Sequence, residues 1–434
     1  MSLVVSPPER FTMKKIAARK ATLIGSLLIT AGLLSAGPAL AQSKVTTLTV
    51  FMGSQQRPEI FQPLFDKFTK QNPNIKVKIE QGGATSEAQN QYLTTVLAAK
   101  DPSLDIFLID VVRPATFAAA GWAEPLDSYI PSKEQYVKAF LPGTIQSATV
   151  NGKLYALPAF TDAQFLYYRR DLLAKYNARV PTTWDELTQT AAKITKAEGG
   201  NLQGLNFQGA PIEGAVCNFL ELLWSAGGNV GEVDSAQGQQ GLGFLVNAVK
   251  TKLSPASSAE MKTDDSRQQF QAGNVLFGMN WSYAWAHFQG KSPDPTKVKG
   301  NVGVAKLPVF AKNSSSTCVG GWQWGVSSYS RNKAASVKLL QFMVSADAQR
   351  EIAVKGAYLP VRRALYNDAS VVEANPHFKT LFAAVSSARS RPVTPAYPRV
   401  SEIIRSNVSA AVSGNKTVDA ALKDMQQGLS PLLK

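Results

Sequence analysis

The chain has 434 residues, with 46 Lys and Arg against 31 Asp and Glu for a net charge of +15, 44% hydrophobic residues, two cysteines and two histidines. That hydrophobic content excludes a disordered chain, and two widely separated Cys with two His exclude a clustered metal centre. The basic residues are scattered, with no run beyond RR or KK and no nucleic-acid motif, so the charge reads as a solvated surface rather than a nucleic-acid interface.

The first element in chain order is an export leader. From Met13, Lys14, Lys15, Arg19 and Lys20 precede an apolar run from Ala21 to Leu34. The run closes on Ala39-Leu40-Ala41, a small-x-small site that predicts cleavage after Ala41. It is shorter than the about 20 apolar residues a membrane span needs. No Cys lies near the site to take a lipid, so a soluble, exported, periplasmic protein is expected. Residues 1–12 read as an upstream start or an added extension. Cleavage removes five basic residues and one acid, taking +15 to +11, and the remaining length predicts two domains.

Thr46–Phe51 alternates as a strand, and Ile60, Phe61, Leu64, Phe65 and Phe68 then share one helical face that ends at Asn72-Pro73. Ile75, Val77 and Ile79 alternate again. A helix over roughly Glu87–Ala99, a strand Ile106–Ile109 and a helix from Pro114 to Gly121 follow. This β-α-β-α-β-α order predicts an α/β fold, a parallel sheet with helices on both faces. Ligands of such sheets lie beyond the carboxyl ends of strands, where Asp110 stands.

Residues 151–187 are the most informative stretch. A β-prone run, Lys153 to Leu157, is expected to stop at Pro158; Phe160, Asp162 and the run Phe165 to Tyr168 follow, and Thr183 to Glu186 reads as a capping box. One acid among aromatics on an extended segment suits a polyhydroxylated ligand, because the carboxylate accepts from hydroxyls while rings cover an apolar sugar face. The same pattern also describes a buried strand with a capping Asp. Beyond it, residues 184–300 read as mostly helical with breaks at Gly199-Gly200 and Gly227-Gly228. Residues 302–307 and Trp324–Ser327 read as strands and 334–353 as a helix.

Neither His287 nor His377 sits in a catalytic motif, and no HExxH, nucleophile elbow or phosphate loop occurs. Two carboxylates suffice for glycoside hydrolysis, so Asp110 with Asp162 or Glu213 keeps that reaction formally open. Trp281 and Tyr283 share a side with Trp285 if the segment is extended; if it is helical, only the two Trp do. Trp322 and Trp324 follow Gly320-Gly321, glycines that let a backbone approach closely. Trp285 and Trp324 read as core. Glu213, ahead of Cys217, is either a ligand contact or a solvated acid. In an oxidising compartment Cys217 and Cys318 are expected to bridge.

NGKLYALP at 151–158, the run ending in YYRRDLL at 173 and PTTWDEL at 181–187 resemble the carbohydrate-binding (maltose/trehalose-binding-like) solute-binding proteins of ABC importers. LDIFLID at 104–110 followed by AAAGWAEPLD, FGMNWSYAW at 277–285, GGWQWGV at 320–326 and YLPVRRALY at 358–366 carry the resemblance over most of 46–430. It implies a two-lobed periplasmic-binding-protein fold, each lobe a mostly parallel sheet flanked by helices. Three hinge crossings are implied near Gln164–Tyr167, Val304–Leu307 and Ser345–Ile352. One lobe would comprise 42–164 plus 305–350, the other 165–304 plus 351–434, and the two would close on ligand. Cys217 and Cys318 then fall in different lobes, so a bridge would restrict opening unless it lies at the hinge.

By this resemblance Asp110 and Asp162 match hydroxyl-binding acids, Trp281 and Trp322 ring-stacking positions, and Arg362 a polar contact. Gln55 and Gln56 replace residues that are charged in some members. The implied activity is sugar capture without catalysis or cofactor. A disaccharide (trehalose, maltose or sucrose) is the first expectation, with a monosaccharide, sugar alcohol or glycerophosphodiester as alternatives and a secreted glycosidase outside the class. The implied partners are a sugar and an ABC permease, with a monomeric receptor and no nucleic acid.

Overall fold

Alternation from Thr46 brings Leu48, Val50 and Met52 into the core as strand β1 (Thr46–Gly53) of a computed structural model that describes residues 45–310 and 317–433. The expected leader and its cleavage site lie outside the described residues. Helix α1 (Pro58–Gln71) starts on a proline at its first position, where a missing N–H costs nothing, and buries the five residues of its apolar stripe. Strand β2 (Ile75–Gly82), helix α2 (Ser86–Ala98, capped by Thr85), strand β3 (Ile106–Asp110) and helix α3 (Pro114–Ala119) complete the predicted alternation. β1 pairs in parallel with both β2 and β3.

The chain then enters strand β4 (Leu157–Arg169), which continues through the proline expected to stop it. Pro158 lies opposite Gln323, where the register of the partner strand shifts, so its missing N–H falls at an irregularity rather than in a regular ladder. Helix α4 (Trp184–Ala197) begins with the predicted capping box: Thr183 Oγ1 accepts from the Glu186 N–H, and Glu186 accepts from the Thr183 N–H. Strand β5 (Gln203–Asn206), helix α5 (Glu213–Ser225), helix α6 (Thr263–Gln271), strand β6 (Val275–Trp281) and strand β7 (Val302–Ala305) lead to strand β8 (Val319–Val326). The helix expected over 334–353 is two, α7 (Lys333–Met343) and α8 (Ala346–Gly356). Ser345 separates them, its side chain accepting from the Ala348 N–H as an N-cap. Helix α9 (Tyr397–Val412) packs on α5.

The sheet runs β2-β1-β3-β8-β4-β6-β5, with β7 also on β4. β5–β6 is parallel, while β8 and β4 run against their neighbours, so the sheet is mixed. Within β4, Leu157–Ala163 pairs with β8 and Gln164–Arg169 pairs with β6 and β7. One strand therefore changes partners between Ala163 and Gln164. Trp324 is core, as read, with its ring against Phe61 and Phe65; Trp285 is partly buried at the edge of a second core cluster, its ring tilted against His377. Among the described residues no helix is long and apolar enough to cross a membrane.

Candidate functional site

Where β4 changes partners, the ends of β3 and β6, the first half of β8 and the N-termini of α2, α5 and α6 surround a cavity of about 210 Å³. Asp162 stands on its floor. It is 7% exposed, and its Oδ1 accepts from the Ala163 N–H (2.8 Å), the Ser282 N–H (2.8 Å) and the Ser282 hydroxyl (2.5 Å). Among the described residues no donor reaches Oδ2. Burial pushes this carboxyl up to about 7 in spite of the three hydrogen bonds on Oδ1.

Aromatic rings form the walls. Trp281, ending β6, packs over Gly320, where a Cβ would lie 2.4 Å from the indole. Gly321 takes φ +117°, and a Cβ there would approach Phe160 O to 2.5 Å, so only glycine fits between β8 and β4. Trp322 is half-buried on the cavity wall, in register with Asp110 and Phe160. Phe160 stacks on Tyr358 at 4.2 Å, and Tyr283 donates its hydroxyl to Asp264 Oδ1 at 3.2 Å. Residues 281–285 are neither fully extended nor fully helical: the strand ends at Trp281 and a short helix begins at Ala284.

Of the sequence-predicted residues, Gln55, Asp110, Asp162, Glu213, Trp281, Tyr283, Gly321 and Trp322 line this cavity. Gln56 does not; its amide is buried beside Gly53 without a hydrogen-bond partner among the described residues. Arg362 lies outside the cavity, with its guanidinium 4.8 Å over the Phe140 ring and its Nε donating to Val344 O. Glu213 is far from solvated, because both its carboxylate oxygens are engaged by the protein. Oε2 accepts from Arg391 (2.7 Å) and the Tyr397 hydroxyl (2.6 Å); Oε1 accepts from the Ser401 hydroxyl (2.6 Å) and Arg113 (3.4 Å). Burial opposes its charge, yet Arg391 and Arg113 hold its pKa below the usual value.

Arg391 is the group that sequence reasoning missed. It is 3% exposed, lines the cavity, and also donates to Asp110 Oδ1 at 3.0 Å. Glu87 was missed as well: its Oε1 accepts from the Glu213 N–H at 2.7 Å, and burial and then the Glu213 charge raise its pKa. The contacts of Arg391 lie 281 and 178 residues away, beyond any local spacing signal.

Cys217 and Cys318 form the expected disulfide, with Cα atoms 5.6 Å apart. Cys318 N–H donates to Glu221 Oε1 at 2.9 Å, and Thr317 Oγ1 donates to Gln164 O at 2.8 Å. The bridge therefore sits where β4 changes partners. Glu221 is fully enclosed there, and burial pushes it up to about 8.

The family model for bacterial extracellular solute-binding proteins matches residues 53–350. A Deinococcus radiodurans protein named "Probable ABC transporter-binding protein" is 33% identical over 417 residues, covering 92% of this chain and 96% of its own length. The structure of maltose-bound MalE3 from T. maritima superposes with a TM-score of 0.83 at 36% identity, covering 88% of this chain and 99% of the other. A solute-binding protein from Agrobacterium vitis with bound D-mannitol gives 0.73 at 26% identity, covering 88% and 97%. The α/β architecture is thus that of the two-lobed periplasmic binding proteins. The chain belongs to the bacterial extracellular solute-binding protein family.

Proposed function

We propose that this protein is the periplasmic receptor of an ABC importer. It captures a neutral sugar, a disaccharide such as trehalose, maltose or sucrose, in a cleft between two lobes and delivers it to the membrane permease. The observation that carries the reading is Asp162, with one oxygen fixed by three donors and the other free, in a cavity that Trp281 and Trp322 also line. In this reading Asp162 accepts sugar hydroxyls, Trp281 and Trp322 cover ring faces, and Arg391 and Asp110 form a polar wall. The lobes would comprise 42–164 plus 305–350 and 165–304 plus 351–434, closing about the segment near Gln164. The receptor acts as a monomer, without cofactor or turnover.

The magnitudes are consistent. Micromolar affinity needs about 8 kcal/mol. Two indole stacks of roughly 100 Å² contribute about 5 kcal/mol at ~25 cal/mol/Å². The cost of association must then be offset by charge-assisted hydrogen bonds of about 1.5–3 kcal/mol each. The maltose in T. maritima MalE3 supports a disaccharide; the mannitol in the Agrobacterium vitis protein supports a sugar alcohol as the second reading. Calorimetric titration of refolded protein with trehalose, maltose, sucrose, glucose and mannitol tests the choice. Binding of one disaccharide in the micromolar range with no sugar consumed is expected. Tighter binding of mannitol would move the assignment to the sugar alcohol, and hydrolysis of any of the disaccharides to monosaccharides would make the protein a glycosidase.

A further inference from the structure

We propose that the cleft is a charge filter, which accepts uncharged or amine-bearing sugars and rejects those carrying a phosphate or carboxylate, with Glu87, Asp162 and Asp265 setting the preference. The inference rests on the sugar-receptor reading and deepens it. The chain as a whole is basic, yet the cavity wall reverses the sign: among the described residues, Glu87, Asp110, Asp162, Glu213, Asp264 and Asp265 line it against Lys262 and Arg391.

Ion pairing neutralises half of these acids. Arg391 is committed to Asp110 and Glu213, Arg113 adds to Glu213 from behind, and Arg267 pairs with Asp264. Among the described residues Glu87, Asp162 and Asp265 have no ion pair. Asp162 meets only neutral donors and keeps Oδ2 open, although it is more than nine-tenths buried. Glu87 Oε2 is buried without a partner, and Asp265 accepts from the Lys262 backbone N–H. Lys262 is the only wall cation left without an ion pair among the described residues.

The opposite tendency has a physical source too. The N-terminus of α2 opens onto the cavity, and such a terminus ordinarily favours anions. Glu87 in its first turn already occupies that potential. The surroundings also resist further negative charge: burial and then the charge of Glu213 raise Glu87 against the opposing charge of Arg405, and burial takes Asp162 to about 7. An entering phosphate would meet these carboxylates with no guanidinium free to fork onto it. An ammonium meets the reverse, a free carboxylate oxygen in a cavity that the rings of Trp281, Tyr283 and Tyr358 also line. The basic exterior draws anions toward the protein and the wall turns them away at contact.

The first test needs no ligand. At low salt and a pH above the Asp162 titration, tryptophan fluorescence is quenched with caesium and with iodide, each normalised to N-acetyltryptophanamide. The contribution of Trp322 is taken as the difference from the Trp322→Phe variant. Caesium should quench it roughly threefold more effectively than iodide, and the preference should shrink in Glu87→Gln/Asp265→Asn. Equal or better quenching by iodide overturns the filter. The second test is calorimetric titration of maltose against maltose 1-phosphate and of mannitol against mannitol 1-phosphate. Each ester should bind about 100-fold more weakly than its parent; an ester within threefold of its parent, or tighter, overturns the filter. If neither parent sugar binds, the receptor reading fails, while the quenching experiment still decides the sign of the cleft.

Discussion

Asp162 concentrates the chemistry because its geometry is set before any ligand arrives. Three donors on Oδ1 prevent rotation, so Oδ2 is a fixed acceptor. At a pH above the Asp162 titration, Asp162→Asn should forfeit a charge-assisted hydrogen bond of about 1.5–3 kcal/mol. Calorimetry should therefore show a Kd at least about tenfold weaker; a change under threefold would remove Asp162 from the site. Glu221 makes a prediction about stability. Its pKa is raised by burial, to about 8, so the native state holds a proton that the unfolded chain releases near 4.5. The contribution is complete below that value and is lost as pH rises through about 8. Urea unfolding of the wild type should show stability falling across this window, and Glu221→Gln should fall less; parallel curves would contradict the buried neutral acid. Asp162, Trp281 and Trp322 were legible in the sequence because their signals are local: an acid among aromatics, a tryptophan in the aromatic cluster 281–285, and a tryptophan beside paired glycines. Arg391 was not, and Glu213 was legible as an acid but not as a hub, because four of the side chains meeting it are far away in sequence.

At the scale of elements, β4 and β8 do most of the positioning. Gly321 brings the two strands together at a φ that other residues adopt only with strain. Gly321→Ala should lower stability by about 1–3 kcal/mol in urea unfolding and weaken sugar binding. Unchanged unfolding would show that the strands separate cheaply there. The disulfide ties α5 to the entry of β8, closing a loop over a sequence separation of 101. Cys217→Ser/Cys318→Ser should cost about 2–5 kcal/mol; an unaltered urea midpoint would contradict that. The first βαβα run was legible because its periods are regular and its caps local. Pro158 misled because a proline is tolerated at a register shift that only the partner strand reveals. The split between α7 and α8 was hidden because Ser345 interrupts an otherwise continuous helical pattern.

For the whole molecule, the polar network at Glu213 joins segments far apart in the sequence. Under the proposed lobe boundaries, Glu87, Asp110 and Arg113 belong to one lobe and Glu213, Arg391, Tyr397 and Ser401 to the other. Removing one partner strands buried charges, so Glu213→Ala should destabilise the protein by about 3–5 kcal/mol, with less than 1 kcal/mol in urea unfolding arguing against a structural role. The family was readable from motif blocks in order. The sugar was not, because one aromatic and carboxylate chemistry serves disaccharides and sugar alcohols alike. The most direct test is parallel calorimetric titration of refolded wild type and Asp162→Asn/Trp281→Ala with maltose, trehalose and sucrose. Saturable micromolar binding of one of them by the wild type, lost in the variant, is the predicted result. No binding of any of the three, or equal binding by both proteins, would contradict a neutral disaccharide held by these residues.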